Sequence, residues 1–194
     1  MRALGIDPVH NTRSTFRALS VAMSRPGTIQ EAPTTPADHA VVATLVDHEV
    51  SFHTADDELR ETLASHGRLV DAEPAEADIV HIHGVPAWSI TDLTRGSLVE
   101  PSEGATVICR VDGLAAETAD NHGDPAAECD SGLTPITLSG PGVPDSRTVH
   151  VGLPAEELRD IVAAQSTFPR GVDAIFTAGD RLVAVPRSAS MEVA

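Results

Sequence analysis

The residues best suited to chemistry are two histidines, one glycine turn and two arginines. His81 and His83 alternate within Ala77 to His83, which reads as a strand, so both point to the same face. A His-x-His pair can hold zinc, but spacing identifies no third ligand. His48, His53 or His150 would have to come from elsewhere in the fold. A structural or partner-contact role is the simpler reading of the pair. Ser139, Gly140, Pro141 and Gly142 follow a short apolar stretch. Ser139, Gly140 and Gly142 could cradle a phosphate through backbone N–H groups, yet Pro141 has no N–H to give, which favours a structural tight turn. Arg17 and Arg187 are the charges of most interest. A guanidinium is planar, always charged and suited to bidentate contact with phosphate or carboxylate. Arg187 lies just past a strand, where ligand sites of α/β sheets often sit. Arg17 follows Phe16, which is expected in the core of a first helix. Either arginine could equally form an ion pair with one of the chain's 29 acids. No acid pair, Cys–His pair or triad can be assembled from spacing, so the chain displays no self-sufficient catalytic apparatus.

Composition removes several function classes. The chain has 194 residues and a net charge of −16, and its 13 basic residues are all arginine. Without lysine there is no P-loop and no Schiff-base chemistry on a side chain. Tyrosine is absent as well. Cys109 and Cys129 form no CxxC pair, and two unpaired thiols are expected in a reducing compartment. The acidic surface repels nucleic-acid phosphates, so no nucleic-acid partner is expected. Abundant acid, no lysine and 3% aromatics suit a host with molar salt, where screening tolerates self-repulsion. Plain solubility is the blander explanation. The longest largely apolar run, Ala40 to Val46 with Thr44 inside it, is too short to cross a membrane. The N-terminus lacks the apolar core of a secretory signal, so a cytoplasmic protein is expected.

The elements that must position these residues are legible in outline. Residues 7–24 read as a helix capped by Asp7, with Phe16, Leu19, Ala22 and Met23 on its apolar stripe. Arg25, Pro26 and Gly27 stop it. A second helix is expected over 37–46 and a strand over Val50 to His53. Thr54 is expected to cap a third helix that opens on Asp56, Asp57 and Glu58 and buries Leu59 and Leu63. Strands follow at 77–83, 106–111 and 136–138. Pro154 opens a helix with Leu158, Ile161 and Val162 on one face. Residues 174–177 and 182–185 form a hairpin around Gly179. Asp112 to Asp130 holds six acidic residues and no arginine, so an acidic loop outside the core is expected over about 112–131. Helices among short apolar strands argue for one layered α/β domain spanning 1–194.

Four blocks resemble a known family. Phe16-Arg17-Ala18-Leu19 with Ala22-Met23-Ser24-Arg25-Pro26-Gly27 is similar to the N-terminal signature of the PhnH family of the carbon–phosphorus lyase system. Pro101 to Thr106, Leu138 to Val143, and Phe168 to Asp173 with Gly179 to Arg187 resemble that family's later blocks, in its order. The chain departs from the pattern at Ser188-Ala189, where two threonines are usual, and in the length of Asp112 to Asp130.

The resemblance implies a three-layer α/β/α fold like the large domain of PLP-dependent transferases, without the cofactor. The missing lysine agrees, since no internal aldimine could form. It also implies a homodimer that joins PhnG-, PhnI- and PhnJ-like subunits. That complex supports formation of a ribose-1-alkylphosphonate 5-triphosphate from ATP and an alkylphosphonate. The expected role is therefore a non-catalytic or co-catalytic subunit. The alternatives are a free-standing enzyme that recognises phosphate or phosphonate through an arginine-lined site, and a relic that keeps a PLP pocket without chemistry.

Overall fold

The computed structural model describes residues 4–116 and 132–194. Among the described residues four α-helices, α1 (His10–Ser24), α2 (Ala37–Leu45), α3 (Asp57–Ser65) and α4 (Ala155–Gln165), accompany eleven strands. Seven strands make the larger sheet: β1 (Gln30–Glu31), β2 (Ser51–Thr54), β3 (Val70–Asp71), β4 (Ile79–His83), β5 (Thr106–Arg110), β9 (Asp173–Ala178) and β10 (Arg181–Val185). Its order is β1-β10-β9-β5-β4-β2-β3. The run from β3 to β9 is parallel, and β10 and β1 close one edge antiparallel. A second, antiparallel sheet is formed by β6 (Leu114–Ala116), β7 (Thr134–Ser139), β8 (Arg147–Val151) and β11 (Ser190–Val193), in the order β11-β7-β8-β6.

Strand alternation sorts the core onto two faces of the larger sheet. Ile79, Ile108, Ile175 and Leu182 point to a cluster with Leu19, Val41, Val42, Leu59 and Leu63 of α1, α2 and α3. Val80, Val107, Phe176 and Val183 point the other way, to Leu158 and Ile161 of α4 and to Ile136, Leu138, Val149 and Val151 of the second sheet. Each fully buried Leu or Ile contributes about 1.5–3 kcal/mol. The architecture is thus layered mixed α/β, as expected, but the layer opposite the three helices is mostly β, with α4 its one α-helix. The second sheet and α4 arise inside the connection from β5 to β9, and β11 returns to that sheet after β10.

Several local expectations need correction. The buried stripe of α1 is Thr15, Ala18, Leu19 and Ala22, spaced i, i+3, i+4, i+7. Phe16 lies off that stripe and is 59% exposed. Asp7 does accept bonds from the N–H groups of Val9 and His10 at the entry to α1. Asp56, not Thr54, caps α3, accepting from the N–H of Leu59 at 3.0 Å. Thr54 is the last residue of β2. The acidic stretch does not lie wholly outside the core. Leu114 opens β6, pairs with Val151 and is 1% exposed, because its side chain completes the apolar face of the second sheet. Residues 117–131 lie outside the described residues. No helix among the described residues is long and apolar enough to cross a membrane.

Candidate functional site

Arg187 is built into a latch. Its Nε and Nη2 donate to Oδ2 of Asp173 at 3.1 and 2.5 Å, and its backbone N–H donates to Oδ1 at 2.7 Å. Its Nη1 and Nη2 donate to the carbonyls of Pro101 and Gly104 at 2.5 and 3.0 Å. Gly104 leaves room for the guanidinium, since a Cβ there would collide with Arg187 Nη1 and with the carbonyl of Gly171. The blocks 101–106, 168–173 and 179–187 therefore interlock through one side chain. Arg187 also lines an open groove of about 500 Å³ with Pro101, Ser102, Thr106, Phe168 and Pro169. Arg187 follows a strand end, but not at the carboxyl edge of the parallel strands. β10 runs antiparallel to β9, so its end lies beside Thr106 and Asp173, the first residues of the parallel strands β5 and β9. Ligand sites of parallel sheets lie at the opposite edge.

The glycine turn has a packing role of the same kind. Gly142 has φ 80°, and a Cβ there would strike the carbonyl of Ser24. Arg147 Nη1 donates to the carbonyl of Pro26 at 2.7 Å, and a Cβ on Gly27 would meet the Arg147 side chain. Gly140 faces Ser188 and Ala189. The turn Ser139 to Gly142 thus docks on the corner that ends α1 and on the segment after Arg187. Arg17 does not join Arg187: it sits on the exposed side of α1 and does not line the groove.

The densest set of polar side chains lies at the carboxyl edge of the parallel strands. Asp38, in the first turn of α2, is 1% exposed. Its Oδ2 lies 2.8 Å from His81 Nε2 and accepts from Arg110 Nε at 2.8 Å. Arg110 Nη2 lies 2.6 Å from the same oxygen. His81 Nδ1 faces Thr54 Oγ1 at 2.8 Å, and that oxygen accepts the N–H of Asp56 at 3.0 Å. Asp56 Oδ2 lies 3.1 Å from His39 Nε2 and 4.0 Å from Arg110 Nη2. His81 has thus found carboxylate and hydroxyl partners. Its strand neighbour His83 is exposed. Among the described residues no group of three His, Cys, Asp or Glu is placed to hold a metal ion.

Electrostatics fix the state of this cluster. Burial acts to raise the Asp38 carboxyl, but bonds from His81 and Arg110 and their charges outweigh it, holding the group down at about 2. Asp56 is also lowered, burial being outweighed by the Leu59 N–H and by His39. Both are therefore anions at neutral pH. Asp38, His81 and Thr54 have the connectivity of a carboxylate–imidazole–hydroxyl relay. Thr54 is 1% exposed, however, and its oxygen is tied to the Asp56 N–H, so no substrate reaches it as a nucleophile. What the relay does is orient Arg110, whose side chain remains 24% exposed.

Sequence reasoning found only His81 of this set. Asp38 and His39 could have been noticed as two ionisable residues at the head of an otherwise apolar helix. Nothing in local spacing links them to Arg110, 72 residues away from Asp38.

Comparison with known proteins agrees with the motif blocks. The PhnH family, described as bacterial phosphonate metabolism protein, matches residues 5–192. A curated relative from Rhizobium meliloti (strain 1021), named alpha-D-ribose 1-methylphosphonate 5-triphosphate synthase subunit PhnH, is 25% identical over 212 residues. That alignment covers 96% of this chain and 92% of the relative.

Proposed function

The chain belongs to the PhnH family of bacterial phosphonate metabolism proteins, and from that premise we propose that it serves as a subunit of a ribose 1-alkylphosphonate 5-triphosphate synthase in organic phosphonate catabolism. The observation that carries this reading is the family match over residues 5–192, together with a relative of nearly equal length named as such a subunit. The interlocking of the motif blocks supports it. Arg187, Gly104, Gly142 and Gly27 hold the shape of the protein rather than a reaction centre, as suits a chain that acts within an assembly.

In this reading PhnG-, PhnI- and PhnJ-like subunits are the partners, in the cytoplasm, and ATP and an alkylphosphonate are the substrates of the assembly. The protein forms an isologous homodimer, the commonest homo-oligomer symmetry. Its parallel sheet is kin to the large domain of PLP-dependent transferases. No PLP is held, since no lysine exists to form the aldimine.

The test is reconstitution. The purified chain, PhnG-, PhnI- and PhnJ-like partners and the full mixture are each given ATP and methylphosphonate, and the product is followed by phosphorus NMR. The expected result is turnover only when this chain is present with its partners. Turnover by the chain alone, or undiminished turnover without it, would overturn the subunit reading.

A further inference from the structure

The chain leaves the carboxyl edge of the larger sheet in two directions. From β2 it passes through α3, whose Leu59 and Leu63 pack on the helical face. From β4 it passes through residues 84–105, whose Ile90 and Leu93 pack on the opposite face. β2 and β4 are parallel neighbours, so the two connections part between them at a topological switch point outside their carboxyl ends. Open α/β sheets bind ligands at such a point. Thr54 and His81 lie buried there, with Asp38 and Asp56 beside them and Arg110 bonded to Asp38 from β5.

The carboxylates here are not on offer to a ligand. Asp38 is buried beneath Arg110 and His81. Asp56 spends Oδ1 on the Leu59 N–H and faces His39 with Oδ2. The group that reaches solvent is a donor. Among the described residues nothing bonds Arg110 Nη1, while Nε and Nη2 are anchored on Asp38. His83 is exposed and stands in register with Arg110 on the neighbouring strand, roughly 4.8 Å away along the hydrogen-bonding direction. Arg110 Nη2 is buried against Asp38 Oδ2, so Nη1 is the nitrogen left for a ligand.

We propose that Arg110 binds a small oxyanion, a phosphate or phosphonate group, at the switch point between the carboxyl ends of β2 and β4. Asp38 fixes the plane of the guanidinium and His83 stands at the rim. A guanidinium held through Nε and Nη2 presents Nη1 to an oxygen of a tetrahedral anion with little side-chain freedom left to lose on binding. The choice of methylphosphonate as a probe rests on the proposed function; the site itself does not.

Phenylglyoxal labelling of the full-length protein, read by peptide mass, tests it. Inorganic phosphate, methylphosphonate and ATP are the separate arms, with exposed Arg17 as the internal control. The expected result is that phosphate slows labelling of Arg110 at least about ten-fold and leaves Arg17 unchanged. Titration of phosphate by calorimetry should show saturable binding that Arg110→Gln removes. Equal labelling of Arg110 in all arms, or saturable binding retained by Arg110→Gln, would overturn the proposal. Should Arg110→Gln fail to fold, protection in the wild-type protein decides alone. Protection by phosphate with methylphosphonate inert would keep the site and count against phosphonate as its ligand, while the reconstitution assay tests the subunit reading independently.

Discussion

Asp38→Asn is the substitution whose effect can be worked out most fully. The side chain is almost isosteric, so packing is preserved and the change is electrostatic. The carboxyl drops from 3.8 to about 2 on folding. A depressed folded-state value means the stabilisation is fully present above 3.8 and is lost as pH falls through about 2. At about 1.4 kcal/mol per unit, the shift corresponds to roughly 2–3 kcal/mol at neutral pH. The variant also leaves Arg110 and His81 beside a neutral amide, and removing one partner of a buried pair costs about 3–5 kcal/mol. A loss of roughly 2–4 kcal/mol at pH 7 is expected. Linkage retains only about half of the carboxylate's contribution at about pH 3. Urea unfolding followed by far-ultraviolet circular dichroism at both pH values is the assay. A variant within about 0.5 kcal/mol of wild type at neutral pH, or a gap that does not narrow in acid, would refute the assignment of Asp38 as an ionised anchor.

Other consequences follow from the same structure. Arg187→Ala should cost about 3–5 kcal/mol by stranding Asp173 and two carbonyls, whereas Arg17→Ala on the exposed side of α1 should stay within about 0.5 kcal/mol; thermal melts of the two variants distinguish a latch from a surface charge. Leu114→Ala should destabilise by about 2–5 kcal/mol, because this residue at the head of the acidic stretch is 1% exposed in the second sheet; a melt matching wild type would return it to the loop. Burial, with Glu157 adding to it, pushes the Cys109 thiol up to about 12, so Cys109 should resist disulfide reagents at about pH 8 until the protein unfolds, as peptide mapping would reveal. With net −16, the melting temperature should rise from about 0.1 M to about 2 M salt as repulsion is screened; a flat profile would argue against a salt-adapted surface.

Sequence alone was sufficient where the governing physics is local. The absence of lysine excludes an internal aldimine in any fold. Asp7 caps the entry to α1 because its carboxylate reaches N–H groups two and three residues on. Leu158 and Ile161 lie on one face of α4 because three residues make nearly one turn, and the hairpin of β9 and β10 turns at Gly179 because a positive φ is needed there. The family blocks were legible for the same reason: they are runs of adjacent residues. The tertiary structure decided everything that depends on direction and on distant partners. Periodicity can say that β10 is a strand but not that it runs antiparallel to its neighbour, and that direction puts Arg187 at the amino edge of the parallel strands while Arg110 stands at the carboxyl edge. Hydrophobicity pointed Phe16 inward, yet the packed face of α1 is set by what α2 and β10 present to it, and Thr15 took that place. The cluster around Asp38 joins residues 43 and 72 positions apart. A carboxylate becomes a buried anchor only when the fold supplies an imidazole and a guanidinium to stabilise its charge, and those arrive from strands that no local pattern ties to α2.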